Sequence, residues 1–260
     1  MTTVSYLANQ TVSDEQIQAW IEQFHRDGYI FLHNVLPPAW VAELKADLER
    51  ILPEGKPGAI AFRLFETSEA NRRLFDMEPI VTFAETLVSK DCHVIHNNSF
   101  ATPPGSQGIS RWHQDDPPHY LVTHGDPPTN VRLPVLLFTA NYYLTDVDDA
   151  TNGPTEFVPG SHLFGAAPPE VLEGTKWADQ VVPCLGPAGS AVIFNNQVWH
   201  RGTPNRSDRT RAITQVSYGR RIVGHKYYPF MNYEMPEHAY ADANPRLKRL
   251  LGFLPHGPYG

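Results

Sequence analysis

The chain has 260 residues, enough for one large domain with its own core. Hydrophobic residues make up 41% and charged residues 19%, which excludes a disordered tail. A net charge of −7 with no Lys/Arg run argues against a nucleic-acid binder, and two cysteines, Cys92 and Cys184, exclude both a disulfide scaffold and a four-cysteine metal site.

The first third reads as helical. Ser13 followed by Gln16 is a capping-box pattern, and Ile17, Trp20, Ile21 and Phe24 then recur on one face. Gly28 ends that helix and Tyr29–Leu32 reads as a short strand. Pro37 and Pro38 open a second helix with Val41, Leu44, Leu48 and Ile51 on one stripe, and a third helix is expected over Pro79–Val88. After residue 90 short apolar runs alternate with Pro/Gly/Asn/Asp clusters. Strands are expected at Cys92–Phe100, Val135–Leu144, Thr155–Val158, Gln180–Cys184, Ala191–Phe194 and Arg211–Tyr218. That pattern suggests a sandwich, jelly roll or barrel, a mainly β fold with flanking α-helices. The Pro-rich stretch Asp116–Pro134 reads as a long loop over a site, and Pro245–Leu251 as a short helix stopped by Gly252.

No signal peptide is expected, because the first 25 residues hold no Lys or Arg and no apolar run. The apolar stretch Leu133–Ala140 is too short to span a membrane. With the sparse cysteines, a cytoplasmic protein with no membrane partner is the expectation.

The 12 histidines direct the search to metal ligands. Trp112-His113-Gln114-Asp115 is the sharpest local feature. On a strand, residues i and i+2 share a face, so His113 and Asp115 can grip one ion from one side. A third ligand should be distant in sequence, and His200, 85 residues after Asp115, is the best candidate. Two His and one carboxylate leave coordination positions open, which suits non-haem Fe(II) oxygen chemistry. Arg211 follows His200 by 11 residues at the start of an alternating strand, and its planar fork of donors matches a carboxylate bidentately. A 2-oxo acid cosubstrate needs such an anchor.

These segments resemble the phytanoyl-CoA dioxygenase family of Fe(II)/2-oxoglutarate-dependent oxygenases. Phe24-His25-Arg26-Asp27-Gly28-Tyr29 resembles the family's opening helix-to-strand turn, and Trp112-His113-Gln114-Asp115 its H-x-D segment. Asn152-Gly153-Pro154 through Pro159-Gly160-Ser161-His162 resembles its NGP…PGSH segment, and His200-(x10)-Arg211 its distal His and cosubstrate Arg. The resemblance implies a double-stranded β-helix (jelly-roll, cupin-like) core in a single domain over 1–260. Residues 1–90 would form a mainly helical flank, 91–220 the core and 221–260 a C-terminal extension. It implies His113, Asp115 and His200 as Fe(II) ligands, 2-oxoglutarate and O2 as cosubstrates, and Arg211 as partner of the 2-oxoglutarate C5 carboxylate, with Arg209 as the fallback. Asn98 matches a cosubstrate-contacting position, and Thr102 replaces a Lys of the family. Asn141 or Tyr143 would face the cosubstrate, and Arg63 falls near a basic residue that some members use there. The expected substrate is a small molecule, because the acidic chain shows no basic patch for CoA phosphates. Its oxidation would release succinate and CO2, with hydroxylation as the default outcome.

His162 reads as structural. His119 and His124 are placed at the substrate entrance, and Trp112 and Trp199 in the core. His93, His96, His119 and His124 match no compact zinc spacing. A metal-dependent hydrolase or isomerase on a cupin-like barrel is the alternative. It would use the same three ligands but would have no reason to keep Arg211.

Overall fold

The structure, a computed structural model, describes residues 5–52, 60–225 and 233–254. Helix α1 (Asp14–Asp27) starts where Ser13 Oγ accepts the Gln16 N–H at 3.2 Å and ends at Gly28, whose φ of 83° suits the left-handed C-cap. The expected stripe Ile17, Trp20, Ile21 and Phe24 is buried. Strand β1 (Tyr29–Leu32) leads to α2 (Pro38–Ile51). There the expectation needs a correction. Ile51, the last helical residue, is 40% exposed, and Trp40 takes its place in the core, donating Nε1–H to Ala70 O at 3.0 Å. β2 (Ile60–Phe62), α3 (Glu69–Arg72) and α4 (Ile80–Leu87) complete this third of the chain.

Strands β3 (His93–Thr102), β4 (Leu137–Tyr143), β5 (Thr155–Phe157), β6 (Val182–Pro183), β7 (Ala191–Asn195), β8 (His200–Gly202) and β9 (Arg211–Gly219) follow. A short helix, α5 (Pro245–Leu250), comes last. A six-stranded sheet runs β1-β7-β4-β9-β3-β2, and a three-stranded sheet runs β6-β5-β8. Every strand pairing is antiparallel. β1 and β2, both from the first 90 residues, form the two edges of the large sheet, so that segment supplies strands as well as helices. β2 and β8 were not expected. At three residues each they are too short to show a period.

Alternation along the strands separates two faces. Ala140, Tyr142, Ala191, Ile193, Ala212, Val216 and Tyr218 join the helices in the main core, which Phe24, Phe83 and Phe138 close edge-to-face. Tyr143, Val192, Phe194 and Ile213 point the other way and meet Phe157 of the small sheet. On that face of β9, the apolar Ile213 lies between Arg211 and Gln215. Among the described residues no helix is long and apolar enough to cross a membrane, and both cysteines are free and buried.

Candidate metal centre and its cavity

His200 opens β8 and pairs with Phe157 of β5. His113 lies outside any regular strand but forms an antiparallel bridge with His200. Each backbone N–H donates to the other's carbonyl at 3.0 Å. Asp115 N–H donates to Asn196 O at 3.0 Å, which fixes the second half of the H-x-D segment to the turn before β8. Asp115 Oδ1 lies 3.5 Å from His200 Nε2 and 3.9 Å from His113 Nε2. One ligand atom from each of the three residues lies within 4.8 Å of the other two, and among the described residues no other such group is found.

The ring orientations fit a metal. His113 Nδ1 is 2.9 Å from Arg111 O, and His200 Nδ1 is 2.9 Å from Val198 O. A carbonyl only accepts, so Nδ1 carries the proton in both rings and the Nε2 lone pairs face Asp115. Burial, followed by the neighbouring His200, holds the His113 imidazole below its ordinary pKa, which favours the neutral form a ligand needs. His200 is further seated between Phe157 and Phe194, with ring centroids at 5.8 and 4.8 Å.

The three residues line a cavity of about 370 Å³. Arg211, Thr102 and Thr155 line it, as do Asn98, Asn141 and Gln215. Arg211 is 5% exposed, and its Nη2 donates to Thr155 Oγ1 at 2.9 Å. Its Nε is buried with no partner, and among the described residues no carboxylate pairs with it. Burial accordingly presses its guanidinium below the ordinary pKa. An unpaired buried cation is costly, so the cavity suits an anionic ligand. Asn98 Oδ1 is also buried without a partner.

Other expected positions fall elsewhere. Arg63 does not line the cavity. It adopts φ 58°, its Nε lies 3.6 Å from Glu66, and its guanidinium sits 5.2 Å from the Tyr233 ring. Arg209 is exposed and pairs with Asp148 and Asn152, because the chain has not yet entered β9. Tyr143 shares the face of Asn141, but its hydroxyl donates to Cys184 O at 3.0 Å, away from the lining. His119 and His124 are also outside the lining. His162 is buried with Nε2 3.0 Å from His25 O, a packing position. Trp112 and Trp199 pack with Val158 and Leu172.

Two residues escaped the sequence reading. Gln215 lines the cavity four residues after Arg211, and strand parity alone could have found it. Gln197 takes the N–H of His119 at 2.8 Å and donates to Asp116 O and Pro117 O at 3.2 Å, tying down the start of the long loop. No local signal marks it, since its partners are about 80 residues away.

Comparison with known proteins identifies the family. The profile of the family described as phytanoyl-CoA dioxygenase matches residues 24–213. The dioxygenase trt7 of Aspergillus terreus is 22% identical, covering 94% of this chain and 85% of its own. The ectoine dioxygenase of Stutzerimonas stutzeri is 25% identical over 74% of this chain and 73% of its own. The L-proline trans-4-hydroxylase of Streptomyces griseoviridis is 25% identical over 76% and 84%. Among solved structures, HygX from Streptomyces hygroscopicus with nickel and 2-oxoglutarate bound superposes with a TM-score of 0.62 at 16% identity, covering 81% of this chain and 88% of that one. The epimerase SnoN in complex with Fe3+, alpha ketoglutarate and nogalamycin RO superposes at 0.63 and 19% identity, covering 86% and 94%. At these identities the two structures carry the fold, and the double-stranded β-helix core is theirs in common with this chain. The profile match spans more than two thirds of the sequence, and the chain belongs to the phytanoyl-CoA dioxygenase family of Fe(II)- and 2-oxoglutarate-dependent oxygenases.

Proposed function

We propose that the protein hydroxylates an unactivated C–H bond of a small-molecule metabolite, with His113, Asp115 and His200 holding Fe(II) and Arg211 holding the distal carboxylate of 2-oxoglutarate. The single observation that carries this reading is Arg211: a buried guanidinium with an unpartnered Nε, lining the same cavity as the three ligands. A hydrolase or isomerase would gain nothing from it. Held by the three side chains, Fe(II) would supply the activation of O2, and the overall change would be R–H, 2-oxoglutarate and O2 to R–OH, succinate and CO2.

The protein's own groups bind and orient. Val198 O and Arg111 O fix the imidazole tautomers. Thr155 steadies Arg211. Asn98 and Asn141 offer amides to the cosubstrate, while Phe100, Phe194 and Ile109 keep the cavity wall apolar and limit water. The proline and ectoine enzymes among the relatives are named for small molecules, which supports a small-molecule substrate here.

The test needs no substrate. Under anaerobic conditions Fe(II) and then 2-oxoglutarate are added to metal-free protein, and the visible metal-to-ligand charge-transfer band is recorded. A band that is lost in His113→Ala and weakened in Arg211→Ala supports the reading. Iron binding without a band would move the hydrolase or isomerase reading ahead.

A further inference from the structure

Three amide side chains stand in one row across three neighbouring strands. Asn98 of β3 is directly opposite Gln215 of β9, which is directly opposite Asn141 of β4. All three line the metal cavity. Gln215 and Arg211 share one face of β9, four residues or about 13 Å apart, so the row and the guanidinium sit at different depths of the same cavity.

Within the row one hydrogen bond has a direction. Gln215 Nε2 donates to Asn141 Oδ1 at 2.9 Å. That bond occupies the Asn141 carbonyl and leaves its NH2 for the cavity, where among the described residues it has no protein acceptor. The reverse polarity would turn the Asn141 carbonyl toward the ligand. 2-Oxoglutarate carries only acceptor oxygens, so an inward carbonyl would repel it and an inward NH2 would bind it.

We infer that Gln215 is a positioning residue. It sets the rotation of the Asn141 amide so that a donor, not an acceptor, meets the carboxylate-bearing cosubstrate. This rests on the proposed 2-oxoglutarate reading. Gln215 need not touch the cosubstrate, because its effect passes through Asn141.

A double-mutant cycle tests this route. 2-Oxoglutarate is titrated into anaerobic Fe(II)-loaded protein, and binding is read by heat and by the charge-transfer band. Gln215→Met keeps the length and apolar volume but removes the bond, and Asn141→Leu removes its partner. Each weakens 2-oxoglutarate binding roughly tenfold, and the double variant is no weaker than Asn141→Leu alone, because the two act as one unit. Fe(II) affinity and the melting temperature stay at the wild-type values, which a merely structural role would not allow. Gln215→Glu is the second variant. Its carboxylate only accepts, so it turns the Asn141 NH2 away from the cavity and weakens binding at least as much as Gln215→Met. The inference is overturned if both Gln215 variants bind like wild type, or if the two penalties multiply to about a hundredfold in the double variant. Failure of wild type itself to bind 2-oxoglutarate would instead remove the functional reading beneath it.

Discussion

His113 and His200 exchange both backbone hydrogen bonds at 3.0 Å although 87 residues separate them. In an antiparallel pair of this kind the two side chains leave the same face side by side. The bridge therefore delivers two imidazoles to one point, with ring centroids 4.2 Å apart, before any metal is considered. Asp115 joins them because its own N–H is tied to Asn196 O, in the turn between β7 and the strand that His200 opens.

Removing His113, Asp115 or His200, the proposed Fe(II) ligands, should abolish iron binding and turnover, but the variants should differ in stability. His200 is 6% exposed and packed between two Phe rings, while Asp115 is exposed. His200→Ala should cost the metal-free protein about 2 kcal/mol by opening a cavity, and Asp115→Ala should cost less than about 0.5 kcal/mol. Denaturant titration of the metal-free variants checks the order, and equal costs would mean that the aromatic seat of His200 is not formed.

Arg211→Met separates binding from folding. The guanidinium is buried with an unpartnered Nε. Replacing it with an apolar chain should leave the metal-free protein as stable as wild type or more so. The same variant should raise the 2-oxoglutarate requirement by about 2 kcal/mol or more, roughly thirtyfold, and lose the upward shift in Tm that 2-oxoglutarate gives wild type. Arg209→Ala, on the exposed pair with Asp148, should change neither. A rise in the requirement for Arg209→Ala would reassign the anchor.

Much of this was legible in the chain. The period of Ile17, Trp20, Ile21 and Phe24 gave α1 with its buried face, because the helical repeat and a Ser/Gly pair of caps are local signals. The interior strands β3, β4, β7 and β9 read as apolar or alternating runs for the same reason. His113, Asp115, His200 and Arg211 meet in one cavity as their motifs implied. What sequence could not reach depends on partners far along the chain. Ile51 has the right spacing but lies where α2 leaves the core. Arg63 is diverted to Glu66 and Tyr233 by a left-handed backbone that no pattern announces. Gln197 earns its place only through the loop it holds from about 80 residues away.

Gly28→Ala should damage the proposed metal site from a distance. Gly28 has φ 83°, and a Cβ there would lie 2.6 Å from His162 Nδ1 and 2.9 Å from Val198 Cγ2. Val198 supplies the carbonyl that orients His200. Gly105→Ala is the control, with φ 77° and nothing within 4 Å of the added carbon. Gly105→Ala should cost only the backbone strain, about 1–2 kcal/mol. Gly28→Ala should cost more and should also weaken Fe(II) binding. Thermal melts and anaerobic iron titrations read the two effects, and equal losses would show that the contact at Val198 is not transmitted to His200.

His162 predicts a pH dependence whose sign is fixed. Its Nε2–H donates to His25 O at 3.0 Å, and its Nδ1 is buried with no partner. Burial, the largest influence, lowers its pKa to about 4 from an ordinary 6.5. The unfolded chain therefore takes up a proton before the folded one does, so the contribution is complete above pH 6.5 and is lost as pH falls from 6.5 toward 4. At pH 4.5 the loss from this one group is roughly 2.5 kcal/mol. Gln at position 162 keeps a donor for His25 O and cannot titrate. In metal-free protein, His162→Gln should narrow the stability difference between pH 7 and pH 4.5 by about that amount, whatever its own cost at pH 7. His93 and His225, also lowered by burial and packed on each other away from His162, contribute equally to both proteins and cancel in the comparison, while His25 interacts with His162 and its coupling is counted with it. Denaturant melts at the two pH values give the difference directly, and an unchanged gap would place the acid sensitivity on those other histidines.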